Sequence, residues 1–192
     1  EMQLFVPDKA NDNQVIVQSL SGASDGNVGM TLALTHSVST TKGGVFFGIT
    51  SGSTFASASA VVTKGQFNHL VALYDQKSTN LLKLYVDGQL ASKSNNKLNA
   101  LYGLNFFPSN VVIGSGSVHG FPTQKDSQKF SFTPKQTLSG AIDEFRFFHE
   151  SRSLEQQTQF QKKSIFSEDN LKLYFKFNEP KGVYNLNSVA LD

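Results

Sequence analysis

Leu81-Leu82-Lys83-Leu84-Tyr85-Val86-Asp87-Gly88-Gln89-Leu90 is the stretch on which the fold turns. Leu82, Leu84 and Val86 alternate with Lys83, Tyr85 and Asp87. Successive side chains of a strand point to opposite faces, so this spacing predicts a half-buried strand with one apolar side. Asp87-Gly88 is the preferred pair for a two-residue hairpin turn, because both central positions of that turn need positive φ. A strand that reverses this tightly pairs antiparallel with its successor, here residues 89–92.

Outward from the hairpin the same signature recurs at residues 2–6, 14–20, 28–34, 45–49, 58–63, 68–74, 111–113, 141–148 and 171–177. Clusters of Gly, Asn, Asp and Ser separate these runs, which is the pattern of an all-β, antiparallel sandwich. One short helix is expected over residues 154–162, capped by Ser153, with Gln156 three residues on where a capping box places Glu or Gln. Leu154, Gln157, Phe160 and Gln161 would share its inner face. Residues 120–135 read as one long loop carrying Lys125, Lys129, Lys135, Pro122 and Pro134. Loops of this length are functional or mobile, so this one is the leading candidate for a contact surface.

A chain of 192 residues fits a single sandwich core. It holds 17 Phe and 5 Tyr but no Trp, and large flat rings favour pleated, half-buried surfaces. The net charge of +2 leaves no electrostatic footprint for nucleic acid. Without cysteine there is neither a disulfide framework nor a thiolate metal site. No apolar run is long enough for a membrane-spanning helix, so no membrane insertion is expected. Only 17% of residues are charged, and polarity comes from Ser, Thr, Asn, Gln and Gly, as in extracellular, cell-surface and virion proteins.

Gly65-Gln66-Phe67-Asn68-His69-Leu70-Val71-Ala72-Leu73-Tyr74 followed by residues 82–90 resembles the pattern G-x-W-x-H-V-A … L-x-L-Y-V-D-G-x-L of the laminin-G-like, concanavalin A-like sandwiches. Val112-Ile113-Gly114 resembles the strand that follows in that family. Residues 138–148 with Ser153-Leu154-Glu155-Gln156 resemble F-x-G-x-I-D-E-V-R-I-Y … L-S-x-x-E. Phe67 stands where the family has Trp, and so is expected as a core plug. The resemblance implies a jelly-roll sandwich over residues 1–168. Residues 171–180 resemble a strand that often opens such a domain, so 169–192 is either the closing strand or the start of a following domain of a longer protein.

Relatives on this fold include glycoside hydrolases, whose signature resembles Glu-x-Asp-x-(x)-Glu along one strand. The nucleophile position here is Ala141, so the set is broken. Glu144 and Glu150 would lie ~20 Å apart in a straight strand, whereas glycosidases need carboxylates about 5–9.5 Å apart. The chain is therefore expected not to be an enzyme. Nor do His36, His69, His119 and His149 form a metal or base motif, so each is expected in strand packing or at the surface. The resemblance also implies Ca²⁺ as an optional ligand, with Asp143 and Glu144 as the acids nominated. The alternative for Asp143 is that it accepts backbone N–H bonds from a neighbouring turn.

The expected role is binding or adhesion, with a glycan or protein on a cell or particle surface as partner, and a purely structural assembly role as the alternative. Lys125 and Lys129 would supply charge, while Tyr102, Phe106, Phe107 and Phe121 could stack on sugars or instead anchor loops. The predicted core comprises Phe67, Leu84, Val86, Ile142, Phe145 and Phe147. Ile142 and Phe145 share a face only if a bulge falls near Asp143 and Glu144.

Overall fold

Asp87 and Gly88 take φ values of 50° and 76°, as the spacing predicts, so β7 (Leu81–Val86) folds directly back on β8 (Gln89–Lys93). The structure is a computed structural model describing residues 1–21, 28–51, 54–76, 78–98, 111–122, 130–161, 163, 165 and 170–177. The hairpin is one end of a five-stranded antiparallel sheet. Its order is β12 (Ala141–Asp143), β1 (Met2–Phe5), β6 (Phe67–Asp75), β7, β8. A second five-stranded antiparallel sheet has the order β5 (Thr54–Thr63), β4 (Lys42–Ser51), β3 (Val28–Ser39), β2 (Gln14–Ser21), β9 (Val112–Ile113). Two further antiparallel pairs are β10 (His119–Phe121) with β11 (Phe130–Phe132), and β13 (Phe145–Phe148) with β14 (Leu171–Phe175).

The main core lies between the two large sheets. Leu4, Leu70, Leu82 and Leu84 come from one sheet, and Ile16, Leu32, Leu34, Val45, Phe47 and Ile49 from the other. Strict alternation fails in the second sheet, where β4 is buried on both faces from Gly43 to Ser51. The reason is a second, smaller core on its far side, made of Val15, Ala33, Phe46, Phe121 and Phe132. Neighbours in sequence thus serve opposite cores: Val15 and Ile16, Ala33 and Leu34, Phe46 and Phe47.

This second core corrects the reading of residues 120–135 as a loop. The described residues on either side of 123–129 form the β10–β11 hairpin, in register Phe121↔Phe130 and His119↔Phe132. Phe121 is 1% exposed and packs edge-on against Phe46 at 5.4 Å. Gly48 is required beneath it, since a Cβ there would lie 2.7 Å from two ring carbons of Phe121. The scattered Phe residues of the supposed loop are therefore the apolar face of a hairpin laid on a sheet. Removing this hairpin would strip a core, contrary to what a solvated loop implies.

The bulge forms where the parity of Ile142 and Phe145 requires it. Gln3 pairs with Asp143, while Glu1 and Arg146 exchange N–H···O bonds of 2.8 Å in both directions. Two steps along β1 therefore match three along the other strand, and Glu144 absorbs the extra one with φ of 52°. Ile142, Phe145 and Phe147 accordingly all pack on the main core. Phe67 does not. It is 50% exposed because it shares the outer face of β6 with His69, opposite Leu70, and there it meets the Phe5 ring, at 5.5 Å.

The helix α1 (Leu154–Phe160) has the expected capping box, with Ser153 Oγ accepting from Gln156 N and Gln156 Oε1 accepting from Ser153 N. Its inner face differs from expectation: Gln157 is its buried residue and Leu154 is exposed. The helix lies over polar groups at the end of β1, where Gln3 Nε2 donates to Gln161 O.

Candidate functional site

Past the bulge, β13 carries Arg146 on the side opposite Phe145 and Phe147. Arg146 is 2% exposed, so its charge must be answered on the spot. Nη1 donates to Glu1 Oε1 at 2.8 Å and to Phe160 O at 2.9 Å. Nη2 donates to Glu144 Oε2 at 2.6 Å and to Lys163 O. Arg152 closes on the same Glu1 carboxylate at 3.0 Å, its guanidinium stacked over Phe148 at 4.6 Å. Tyr174 Oη, from β14, donates to Glu144.

These contacts set the protonation states. Burial pushes the Glu1 carboxyl up, while the hydrogen bond from Arg146 and the charges of Arg146 and Arg152 pull it down, and it stays below the usual carboxylate range. Burial would lower Arg146, yet hydrogen bonds to Glu144 and Glu1 raise it further. Buried His69, beside the cluster, is pushed down to about 4 by burial and is neutral at pH 7. The cluster is thus a clamp tying β1, the bulge, α1 and β14 together. Glu1 is ionised, so it is not a proton donor for acid catalysis.

Beside the clamp opens a cleft of about 420 Å³, within the range of ligand sites. One wall is β6 over residues 71–74 with Gln76, and the other is Phe147, Phe148 and residues 149–152. Met30, Phe47 and Ile49 of the opposite sheet form an apolar floor. Gln157 lines it from α1 with its Oε1 buried and, among the described residues, without a hydrogen-bond partner.

The sequence-nominated residues do not converge here. Lys125, Lys129 and Tyr102, with Phe106 and Phe107, lie outside the described residues. Phe121 belongs to the second core, both by burial and by its rings of contact with Phe46, Phe55 and Phe130, so it anchors rather than presents a stacking face. Asp143 Oδ1 accepts the backbone N–H of the next residue, Glu144, at 2.8 Å, a bond within the bulge and not the expected one from a neighbouring turn. Glu144 is drawn to Arg146 and Tyr174. These two acids do not fit a calcium cage of six to eight oxygens, and no group of three His, Asp or Glu side chains converges among the described residues.

Two features escaped the sequence reading. Arg146 was legible only as one charge within an aromatic strand, although Glu144 two residues before it was a signal for pairing. His119, 0% exposed, bridges Thr31 at 2.9 Å through Nδ1 and Thr50 at 2.8 Å through Nε2. Thr31 Oγ1 also accepts from Gln18 Nε2, so the buried imidazole belongs to a polar chain of Gln18, Thr31, His119 and Thr50 whose donor and acceptor roles follow its tautomer. Burial pushes this imidazole down to about 4.

A laminin-G family model described as the concanavalin A-like lectin/glucanases superfamily matches residues 5–156. That span includes the hairpin at Asp87, both large sheets apart from Met2–Leu4 of β1, and the start of α1. A search of the curated proteins gave no match.

Proposed function

The chain belongs to the concanavalin A-like lectin/glucanases superfamily, and from that premise we propose that it is a non-catalytic binding domain of a surface or virion attachment protein, recognising a glycan or a protein. The observation that carries this reading is the state of the acids beside the cleft. Glu1 is held by two arginines, Glu144 by Arg146 and Tyr174, Glu150 accepts from Asn170, and the position of a glycosidase nucleophile is Ala141. Retaining and inverting hydrolysis both require one carboxyl that carries a proton and a second, free one at a fixed separation. The clamp spends its carboxylates on holding the fold together, while the cleft beside it offers shape, an apolar floor and a polar rim, which is the equipment of recognition.

The extracellular or virion setting is supported by the low share of charged residues and the Ser-, Thr- and Asn-rich composition of the chain. The test is a glycan array and a cell-surface binding assay with the 192-residue protein. Saturable binding without turnover supports the proposal. Release of reducing ends from any bound polysaccharide, lost in Glu144→Gln or Glu150→Gln, overturns it.

A further inference from the structure

Among the described residues the β10–β11 hairpin joins neither large sheet. Its two strands form a ladder with each other, in register from His119↔Phe132 to Phe121↔Phe130. The second sheet beneath it is laddered from β5 to β9 without it, and the other face of that sheet holds the main core. A lone two-stranded hairpin is marginal in water, so this one is ordered while its inner side chains are docked. Those are His119, Phe121 and Phe132, and the two rings cover Val15, Ala33 and Phe46.

The chain grips the sheet at both roots of the hairpin. Before β10, Gln18 Nε2 donates to Ser117 O at 2.9 Å and Gln18 Oε1 accepts the Ser117 N–H at 2.7 Å. After β11, Asn13 Nδ2 donates to Thr133 O at 3.2 Å and Asn13 O accepts from Lys135 N at 2.8 Å. Between these anchors, among the described residues, the side chain that bonds to the sheet is that of His119. The groups facing its imidazole are Thr31 of β3 with Gln18 of β2 behind it, Thr50 of β4, Phe132 opposite on β11, and Phe121 with ring centroids 4.1 Å apart. None of these is charged, and among the described residues no carboxylate stands by to answer a proton there; burial holds the ring neutral. An imidazolium in the closed hairpin bears its desolvation without an anion, whereas in the open hairpin it meets water.

We propose that the β10–β11 hairpin is a flap that opens by itself when His119 takes up a proton, pivoting between Ser117 and Thr133 and baring Val15, Ala33 and Phe46 while both large sheets stay laddered. Proton uptake thereby converts a covered face of the second sheet into an exposed apolar one. The flap goes beyond the binding-domain reading and does not depend on it. It also differs from acid weakening of the whole fold, because the main core stays closed.

Amide exchange in the 192-residue protein at pH 7 and pH 5 reads the opening, each rate being divided by that of the unstructured chain. In the open form the ring titrates near 6.5 and in the closed form only near 4. The open form is therefore favoured about twentyfold more at pH 5 than at pH 7, and protection in β10 and β11 is expected to fall by that factor. A local opening exposes little surface. Urea below the unfolding range should leave hairpin exchange unchanged while it speeds exchange in β3 and β4, which open with the whole fold. In His119→Gln the fall in hairpin protection is expected to vanish. Should that variant not fold, the wild-type profile decides: a fall driven by His119 sets in below about pH 6.5, one driven by carboxylates only below about pH 5. Equal urea dependence in the hairpin and in β3 and β4 overturns the proposal, since the hairpin then opens only with the fold. So does equal hairpin protection at both pH values, a fall that sets in only below about pH 5, or a fall that persists in folded His119→Gln.

Discussion

Acidification should loosen the fold through His119, and the size of the effect follows from its surroundings. The imidazole is fully buried between Thr31 and Thr50, and its pKa falls from 6.5 to about 4. The unfolded chain takes up this proton near pH 6.5 and the folded chain only near 4, so between those values the unfolded state holds more protons. Stability is therefore fully present above about 6.5 and is lost as the pH falls towards 4. Each unit below 6.5 is worth about 1.4 kcal/mol, so at pH 5 the penalty is about 2 kcal/mol. Urea unfolding followed by circular dichroism at pH 7 and pH 5 measures it, comparing the wild type with His119→Gln. Glutamine keeps a donor and an acceptor but does not titrate. The variant should lose about 2 kcal/mol less than the wild type between the two conditions, with the dependence on urea unchanged. His69, also pushed down to about 4, adds a penalty of the same sign that is common to both proteins and cancels. An equal loss in wild type and variant would refute the assignment of a buried neutral His119.

Phe121→Ala should cost about 3–5 kcal/mol in denaturant unfolding, the usual range for a fully buried ring, whereas a surface-loop residue would cost almost nothing. Gly48→Ala forces a Cβ against the same ring and should cost about 1–3 kcal/mol, less when combined with Phe121→Leu, and a double-mutant cycle reads the coupling. Arg146→Met leaves Glu144 without its cation and Glu1 with Arg152 alone, and should destabilise by about 3–5 kcal/mol, with partial recovery on adding Glu144→Gln. Millimolar calcium chloride should move the thermal midpoint by less than about 1 °C, because Asp143 and Glu144 are already engaged elsewhere; a larger rise abolished by Asp143→Asn would show a site.

The parts of the fold that local chemistry decides were legible in the sequence. Asp87-Gly88 admits one tight turn, Ser153 with Gln156 admits one helix start, and the parity of Ile142 against Phe145 demands an extra residue between them. What was not legible depends on which element covers which face. Nothing local in residues 120–135 distinguishes a solvated loop from a hairpin whose Phe121 and Phe132 need the far side of β3 and β4 to bury them. The continuous apolar run of Val45, Phe46, Phe47 and Ile49 was the available clue, since a strand so apolar on both sides needs two covers. Phe67 failed for the complementary reason: its aromatic character matched the family pattern, but its position in β6 puts it on the outer face. The cleft could not be read at all, because its floor and walls come from β3, β4, β6 and β13, far apart in the chain.

The extra residue at Glu144 serves the charged face of this segment and not the phase of its core face. Deleting it would let Gln3–Glu1 and Asp143–Arg146 match step for step, two against two, and would leave Phe145 and Phe147 on the core and Arg146 opposite them. What the deletion removes is the carboxylate that answers Arg146 and Tyr174. Natural variation should therefore allow a single-residue gap between Asp143 and Phe145 chiefly where the arginine at position 146 is exchanged as well.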